Sequence, residues 1–263
     1  MPDRTRPGEK LLQFHTYLIY GFLYLPIFVL VLYSFNQAPR GASWQGFTLD
    51  WYFRLMGNGE LLRALQNSLK VGLIATVFST VTGTMAALAL VRYDFRGKAF
   101  FDSAIFIPML IPEIVMGVAL LTIFVGVGVR LSLLTVILAH IAFCSSYVAV
   151  TVKARLHGFN RTLEEASMDL GADEWTTFRK VTLPLIFPGI LAGAMLAFTL
   201  SFDDFVITFF NAGVGATTLP LKIYSMLKFG VTPEINAIST LMLTVTFVLM
   251  IVFDRIQAQQ EKK

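Results

Sequence analysis

Three carboxylates fall inside otherwise apolar stretches of this 263-residue chain: Glu113 and the adjacent pair Asp203 and Asp204. An Asp at the centre of a membrane helix costs about 2.5–3.5 kcal/mol on insertion scales, so three acids would cost roughly 8–10 kcal/mol if they added. Each should therefore face protein or water and have a use, and a cation is the simplest partner. Neighbouring helical residues point about 100° apart, so only one of Asp203 and Asp204 is expected to face a pore. The competing assignment puts one or both at the outer interface, capping a helix or pairing with Lys222 or Lys228. Tyr147, Phe205, Phe209 and Phe210 could turn ring faces to a cation, with core packing the commoner role for such residues. His140 and Cys144 stand four apart, a spacing that suits two metal ligands. With no third ligand, they read as a satisfied interior pair. No Ser-His-Asp or Cys-His arrangement in a water-accessible setting and no GxxxxGK[ST] loop is present. The chain is expected neither to be an enzyme nor to bind ATP or metal itself.

The elements that must hold these acids follow from composition. Hydrophobic residues make up 56% and charged residues 14%, with a mean hydropathy of +0.68, against about 45–50% and about 25% in soluble domains. A single soluble domain is excluded. Six apolar stretches, at 14–35, 71–91, 103–129, 131–152, 185–210 and 235–253, are each long enough to span a bilayer. They lack the alternation of barrel strands, and a backbone in lipid must satisfy its own hydrogen bonds. The expected fold class is an all-α integral membrane protein with six transmembrane helices. The first stretch exceeds the core of a cleaved signal and is read as a retained helix. Pro108 and Pro112 precede Glu113 and are expected to bend or unwind the third span. On straight helices Glu113 and Asp203 would stand about 18 and 27 Å from the cytosolic ends of their spans, two levels for an elongated polycation. Gly189, Gly193 and Ala197, spaced by four, favour close packing below Asp203.

Orientation comes from the basic residues. Fourteen of the 21 Lys and Arg fall in the amino terminus, the second and fourth loops and the tail, and seven on the other face. The positive-inside rule then puts both termini in the cytosol. The expected organisation is a cytosolic amino terminus over 1–13, a six-helix transmembrane domain over 14–253, an inner loop over 153–184 within it, and a cytosolic tail over 254–263. The outer segment 36–70 carries Trp44, Trp51, Tyr52 and Phe53 with Leu61, Leu62 and Leu65. It reads as aromatic interface anchoring with a short amphipathic helix, or else as a lid that touches a partner.

The inner loop parses as two short helices meeting at Gly171. Thr162 and Glu165 have capping-box spacing, Gly171 suits a left-handed helix end, and Asp173 can cap the second helix. Leu163, Ala166, Met168 and Leu170 on the first helix, and Trp175, Phe178 and Val181 on the second, leave apolar faces needing cover. Either the hairpin lies on the bilayer surface, or it docks in a groove of a cytosolic partner that brings nucleotide chemistry.

Glu165-Ala166-Ser167, three residues, Gly171, nine residues, then Val181-Thr182-Leu183-Pro184 resembles the EAA loop of type I ABC importer permeases, with Ser167 and Val181 as size-preserving departures from Ala and Ile. Across nearly the whole chain the sequence is similar to the spermidine/putrescine permeases. The stretches Tyr33-Ser-Phe-Asn36, Phe95-Arg-Gly97, Phe198 to Asp204, Thr218 to Ser225 and Pro233 to Ala237 carry that likeness. The resemblance implies a permease subunit of an ATP-driven polyamine importer in the bacterial inner membrane. Glu164, Glu165, Ala166, Ser167, Met168, Asp169, Leu170 and Gly171, with Leu183 and Pro184, would then couple to the ATPase. It implies as partners a homologous permease, two cytosolic ATPase copies that hold the ATP and Mg, and a periplasmic or lipid-anchored binding protein. Nucleic acid is not expected. The alternatives are another small organic cation, an organophosphonate or a metal ion as cargo, or an ion-coupled secondary carrier.

Overall fold

The computed structural model describes residues 7–38, 43–158, 160–228 and 230–260. The helices are α1 (Pro7–Tyr33), α2 (Asp50–Gly57), α3 (Gly59–Arg92), α4 (Lys98–Leu110), α5 (Glu113–Gly126), α6 (Leu133–His157), α7 (Thr162–Asp169) and α8 (Glu174–Thr177). A π-helical turn (Phe178–Thr182) leads into α9 (Leu183–Asp203), followed by α10 (Val206–Asn211), α11 (Leu219–Leu227) and α12 (Pro233–Gln260). Among the described residues, β pairing is limited to a bridge between Asn36 and Phe47. Arg4, Arg6, Lys262 and Lys263, counted on the inner face, lie outside the described residues.

Four helical stretches are long and apolar enough to cross a membrane: Leu11–Tyr33, Gly59–Arg92, Leu133–His157 and Glu174–Asp203. The pair α4 and α5 makes a fifth if counted as one crossing, and α12 contributes the shorter apolar length Pro233–Val248. The expected third span is therefore not one rod. It breaks between Leu110 and Glu113 with a bend of 111°, because Pro112 supplies no N–H and drives Ile111 into extended backbone at ψ 134°. The expected fifth span is also interrupted. Its helix stops at Asp203, Asp204 is extended at ψ 128°, and α10 restarts at Val206. Conversely, α3 begins at Gly59, so the amphipathic stretch around Leu61 and Leu65 is continuous with the second span. Asn67 and Ser68 sustain it, donating to the Gly215 and Thr217 carbonyls (both 3.0 Å) and accepting from the Leu219 amide (2.8 Å).

The contacts sort into two units, Met1–Gly59 with Ile223–Val248, and Glu60–Lys222 with Leu249–Lys263. In the first, the side chains of α1 that are described are almost all exposed. Its end is fastened by aromatic residues of the following segment. Trp51 donates its indole N–H to the Asn36 carbonyl (2.8 Å), the Tyr52 hydroxyl pairs with Ser34 (2.7 Å), and Phe35 stacks on Phe47 (5.2 Å between centroids). In the second unit, α6 packs along α9. Small residues permit it, as expected from their spacing. A Cβ on Gly193 would lie 3.2 Å from Val148 and one on Gly189 only 2.7 Å from Arg155, while Ala197 is buried with Cys144 beside its carbonyl. Phe143, Val148, Val152, Ile186 and Ile207 complete this core.

Candidate functional site

Where α9 ends and α10 begins, the two aspartates diverge because the backbone leaves the helix at Asp204. Asp203 is exposed; Asp204 is 9% exposed. A carboxylate buried this deeply needs several donors, and Asp204 has them. It accepts from the amides of Ile207 (3.2 Å) and Thr208 (2.8 Å) and from the Thr208 hydroxyl (3.0 Å), thereby capping α10. His140 Nε2 on α6 approaches the same oxygen at 3.2 Å and Thr208 Oγ1 at 3.0 Å, while its Nδ1 meets Ser201 Oγ at 2.7 Å. His140 is thus satisfied in the interior as expected, but by Asp204, Ser201 and Thr208 rather than by Cys144. Of the basic residues named beside the aspartates, Lys222 pairs with Glu60 (2.6 Å), and Lys228 lies over the Tyr224 ring.

Glu113 is exposed and opens α5, where its charge complements the helix dipole. The bend before it removes the basis for the straight-rod estimate of two carboxylate levels. Instead Glu113 lies within electrostatic reach of Asp203 and Asp204, and half-buried Tyr147 lies within reach of Glu113. The α10 helix packs on α5, with Asn211 donating to the Gly117 carbonyl at 3.2 Å and Phe210 against Gly117. Phe205, at the break, packs with Phe209 (5.5 Å), and Phe209 with Phe210 (5.3 Å). Tyr147 meets Phe143 edge-on at 5.0 Å. The structure therefore gathers Glu113, Asp203, Asp204, Tyr147 and Phe205 into one neighbourhood, in which Glu113 and Asp203 are exposed acids. Such an arrangement places exposed negative charge near aromatic residues.

At the other candidate, α7 and α8 meet at Gly171, whose φ of +90° is the left-handed conformation expected there. Its amide bonds the Met168 carbonyl (2.9 Å) and the Ala172 amide the Ser167 carbonyl (3.1 Å), a Schellman ending. Asp173 caps α8 through the Thr176 amide (3.2 Å), and the Thr176 hydroxyl and amide hold its carboxyl below the ordinary range. The expected capping box at Thr162 and Glu165 does not form. Thr162 is already the first helical residue, and its amide is taken by the Asn160 side chain at 3.1 Å. A capping box occurs instead at Ser132 and Thr135 of α6.

Glu165, Ala166, Met168, Asp169, Leu170 and Gly171 are exposed, Leu170 at 90%. Leu163 and Trp175 are exposed as well, so the apolar faces of the hairpin remain uncovered within the chain. Ser167 is half-buried and shares a hydrogen bond with Thr177 (3.1 Å). Leu183 is half-buried and Pro184 exposed at the start of α9. Glu164 differs from its neighbours. It turns inward and pairs with Arg92 and the Thr182 hydroxyl. Sequence reasoning missed this cluster and the His140–Asp204 pair, since both join residues over sixty positions apart. For the second, the part within reach of sequence was the alternative that one of the two aspartates caps a helix.

Residues 79–263 match the family described as binding-protein-dependent transport system inner membrane component. The chain is 45% identical to the spermidine/putrescine transport system permease protein PotC of Escherichia coli (strain K12), over 93% of this chain and 92% of that one. It is 40% identical to the putrescine transport system permease protein PotI of the same strain, over 93% and 89%. Its fold is similar to that of a chain in the crystal structure of a bacterial ABC transporter that imports the acidic polysaccharide alginate. There the TM-score is 0.73 and the identity 17%, with 95% of this chain and 94% of that chain covered.

Proposed function

This chain belongs to the family of binding-protein-dependent transport system inner membrane components, and from that membership we propose that it is a non-catalytic permease subunit of an ATP-driven polyamine importer. In this reading the chain crosses the bacterial inner membrane six times, with α4 and α5 as one broken crossing, α12 as the last, and both termini cytosolic. It pairs with a homologous permease, and the two share a route at their interface. Two cytosolic ATPase copies hold the nucleotide and Mg, engage the exposed face of α7 and close on ATP binding. That motion rocks the spans from outward to inward access, and a periplasmic or lipid-anchored binding protein delivers the substrate.

One observation carries the choice of a polycation as cargo: the 45% identity to a spermidine/putrescine permease over 93% of the chain. The exposed acids Glu113 and Asp203, with Tyr147 and Phe205 near them, support it chemically. They would receive ammonium groups, and Asp204 stands behind them. The test is uptake of putrescine and spermidine by vesicles carrying the complete importer. Asp203→Asn and Glu113→Gln are each expected to lower uptake about tenfold, as loss of a charge-assisted contact of about 1.5 kcal/mol implies, while the complex still assembles. Normal polyamine uptake in both variants would remove these acids from the route, and a wild-type complex indifferent to polyamines would remove the substrate class.

The hairpin gives a second test of the same reading. Gly171→Val places a β-branched residue at φ +90°, a conformation open to glycine and strained for other side chains, although no atom crowds the position. The expected outcome is hydrolysis that continues without matching transport, read as the ratio of substrate moved to ATP consumed. An unchanged ratio would show that the left-handed turn is not needed for coupling.

A further inference from the structure

The hairpin α7–α8 is short, and eight residues of helix do not hold themselves together in water. Its orientation must come from side-chain ties. One is the Ser167–Thr177 hydrogen bond within the hairpin. The other joins three separate elements. Arg92 is the last residue of α3, where a cation complements the helix dipole. Its Nη2 donates both to the Glu164 carboxylate on α7 and, at 3.1 Å, to the hydroxyl of Thr182. Thr182 in turn donates to Glu164, closing a triangle. The Arg92 and Glu164 side chains are 23% and 14% exposed, and Thr182 is fully buried. Thr182 also ends the π-helical turn from which α9 begins, with the Leu183 amide bonded back to the Phe178 carbonyl. Single π turns of this kind concentrate at functional positions.

We infer that Glu164, Arg92 and Thr182 form an internal tie that passes displacement of α7 into α3 and α9, which makes Glu164 a positioning residue rather than a contact for the ATPase. The inference rests on the reading of α7 as the helix the ATPase engages. The chemistry favours it in two ways. Glu164 is turned away from the exposed face that carries Glu165, Met168 and Leu170. Moreover, a partly buried ion pair with a third hydrogen-bonding group has one well-defined geometry, so α7 cannot shift without dragging the ends of both long helices. The far end of α9 carries Asp203 and the break before α10, so the tie reaches the acids through one continuous helical element.

The experiment uses the complete importer, with its second permease, ATPases and binding protein, in proteoliposomes. Substrate moved per ATP hydrolysed is read alongside ATPase co-purification. For Glu164→Gln and Arg92→Met the ATPase is expected to co-purify as before, while the transport ratio falls about tenfold. The reversed pair, Arg92→Glu with Glu164→Arg, is expected to recover most of that ratio. A merely structural role would lower transport and hydrolysis together through the amount assembled, leaving the ratio unchanged, and that result overturns the tie. A reversed pair that stays uncoupled also overturns it. If Arg92→Met fails to assemble, the isosteric Glu164→Gln decides the matter alone. Failure of the underlying reading looks different, because the wild-type complex itself would then show no hydrolysis stimulated by loaded binding protein.

Discussion

Replacement of Asp204 by leucine is expected to deplete the folded permease from the membrane, whereas Asp203→Asn leaves it folded. The difference follows from what each side chain touches. Asp204 takes the amides of Ile207 and Thr208 and the Thr208 hydroxyl and meets His140 Nε2, all within a buried cluster. Removing the carboxylate orphans the two amides in a place water does not reach, while the Thr208 hydroxyl and His140 keep each other. At about 1–3 kcal/mol for each of the two unsatisfied amides, the total comes to about 2–6 kcal/mol, a large share of the stability of any domain. Asp204→Asn keeps one carbonyl acceptor and should lose about half as much. The measurement is the midpoint of thermal unfolding of the purified complex, together with its yield. An unchanged midpoint for Asp204→Leu would show that the cluster does not hold the α9–α10 break.

Gly213→Ala should be nearly as damaging, for a steric reason. A Cβ there would lie 1.8 Å from the Leu131 carbonyl oxygen and 2.8 Å from the Ser132 nitrogen, both backbone atoms with no freedom to step aside. The same place holds the start of α6, where Thr135 takes the Ser132 amide (2.8 Å) and donates to the Asn211 carbonyl (2.8 Å). Pushing the strands of chain apart would cost about 1–3 kcal/mol for overpacking and about 1 kcal/mol for the lost cap. Gly126→Ala is the matched control, since nothing lies within 4 Å of the added atom. Equal thermal midpoints for the two variants would refute the close approach.

The long elements were legible because hydrophobic runs of this length admit few alternatives. Hydropathy alone indicates α1, α3 and α6, and Pro112 announces the break before Glu113. The break at Asp204 was half legible: a capping role was one of the alternatives for the two aspartates, but the run from Phe198 to Phe210 is apolar on both sides and does not say which of them leaves the helix to cap the next. Its partner His140 lies on another helix, and such a pairing depends on the α6–α9 packing, which the small residues permit without specifying. The π turn at 178–182 likewise arises from tertiary constraint. Gly171 and Asp173 were readable because caps depend on nearest neighbours. Thr162 was misread as a cap because Asn160, two residues earlier, offers the same amide a competing acceptor.

The buckle between α4 and α5 has a consequence for biogenesis. Each leg, 13 and 14 residues long, reaches only about 20 Å, short of the roughly 30 Å thickness of bilayer hydrocarbon. The leg α5 docks against α10, which leaves the ribosome some 80 residues later, roughly 4–16 s at ordinary elongation rates. During that interval α4 can already pack on α6, while α5 still lacks α10, the helix it packs on more extensively. Maturation of this region therefore trails its insertion: Pro112 writes the crease locally, and α5 is seated only when the late helix arrives.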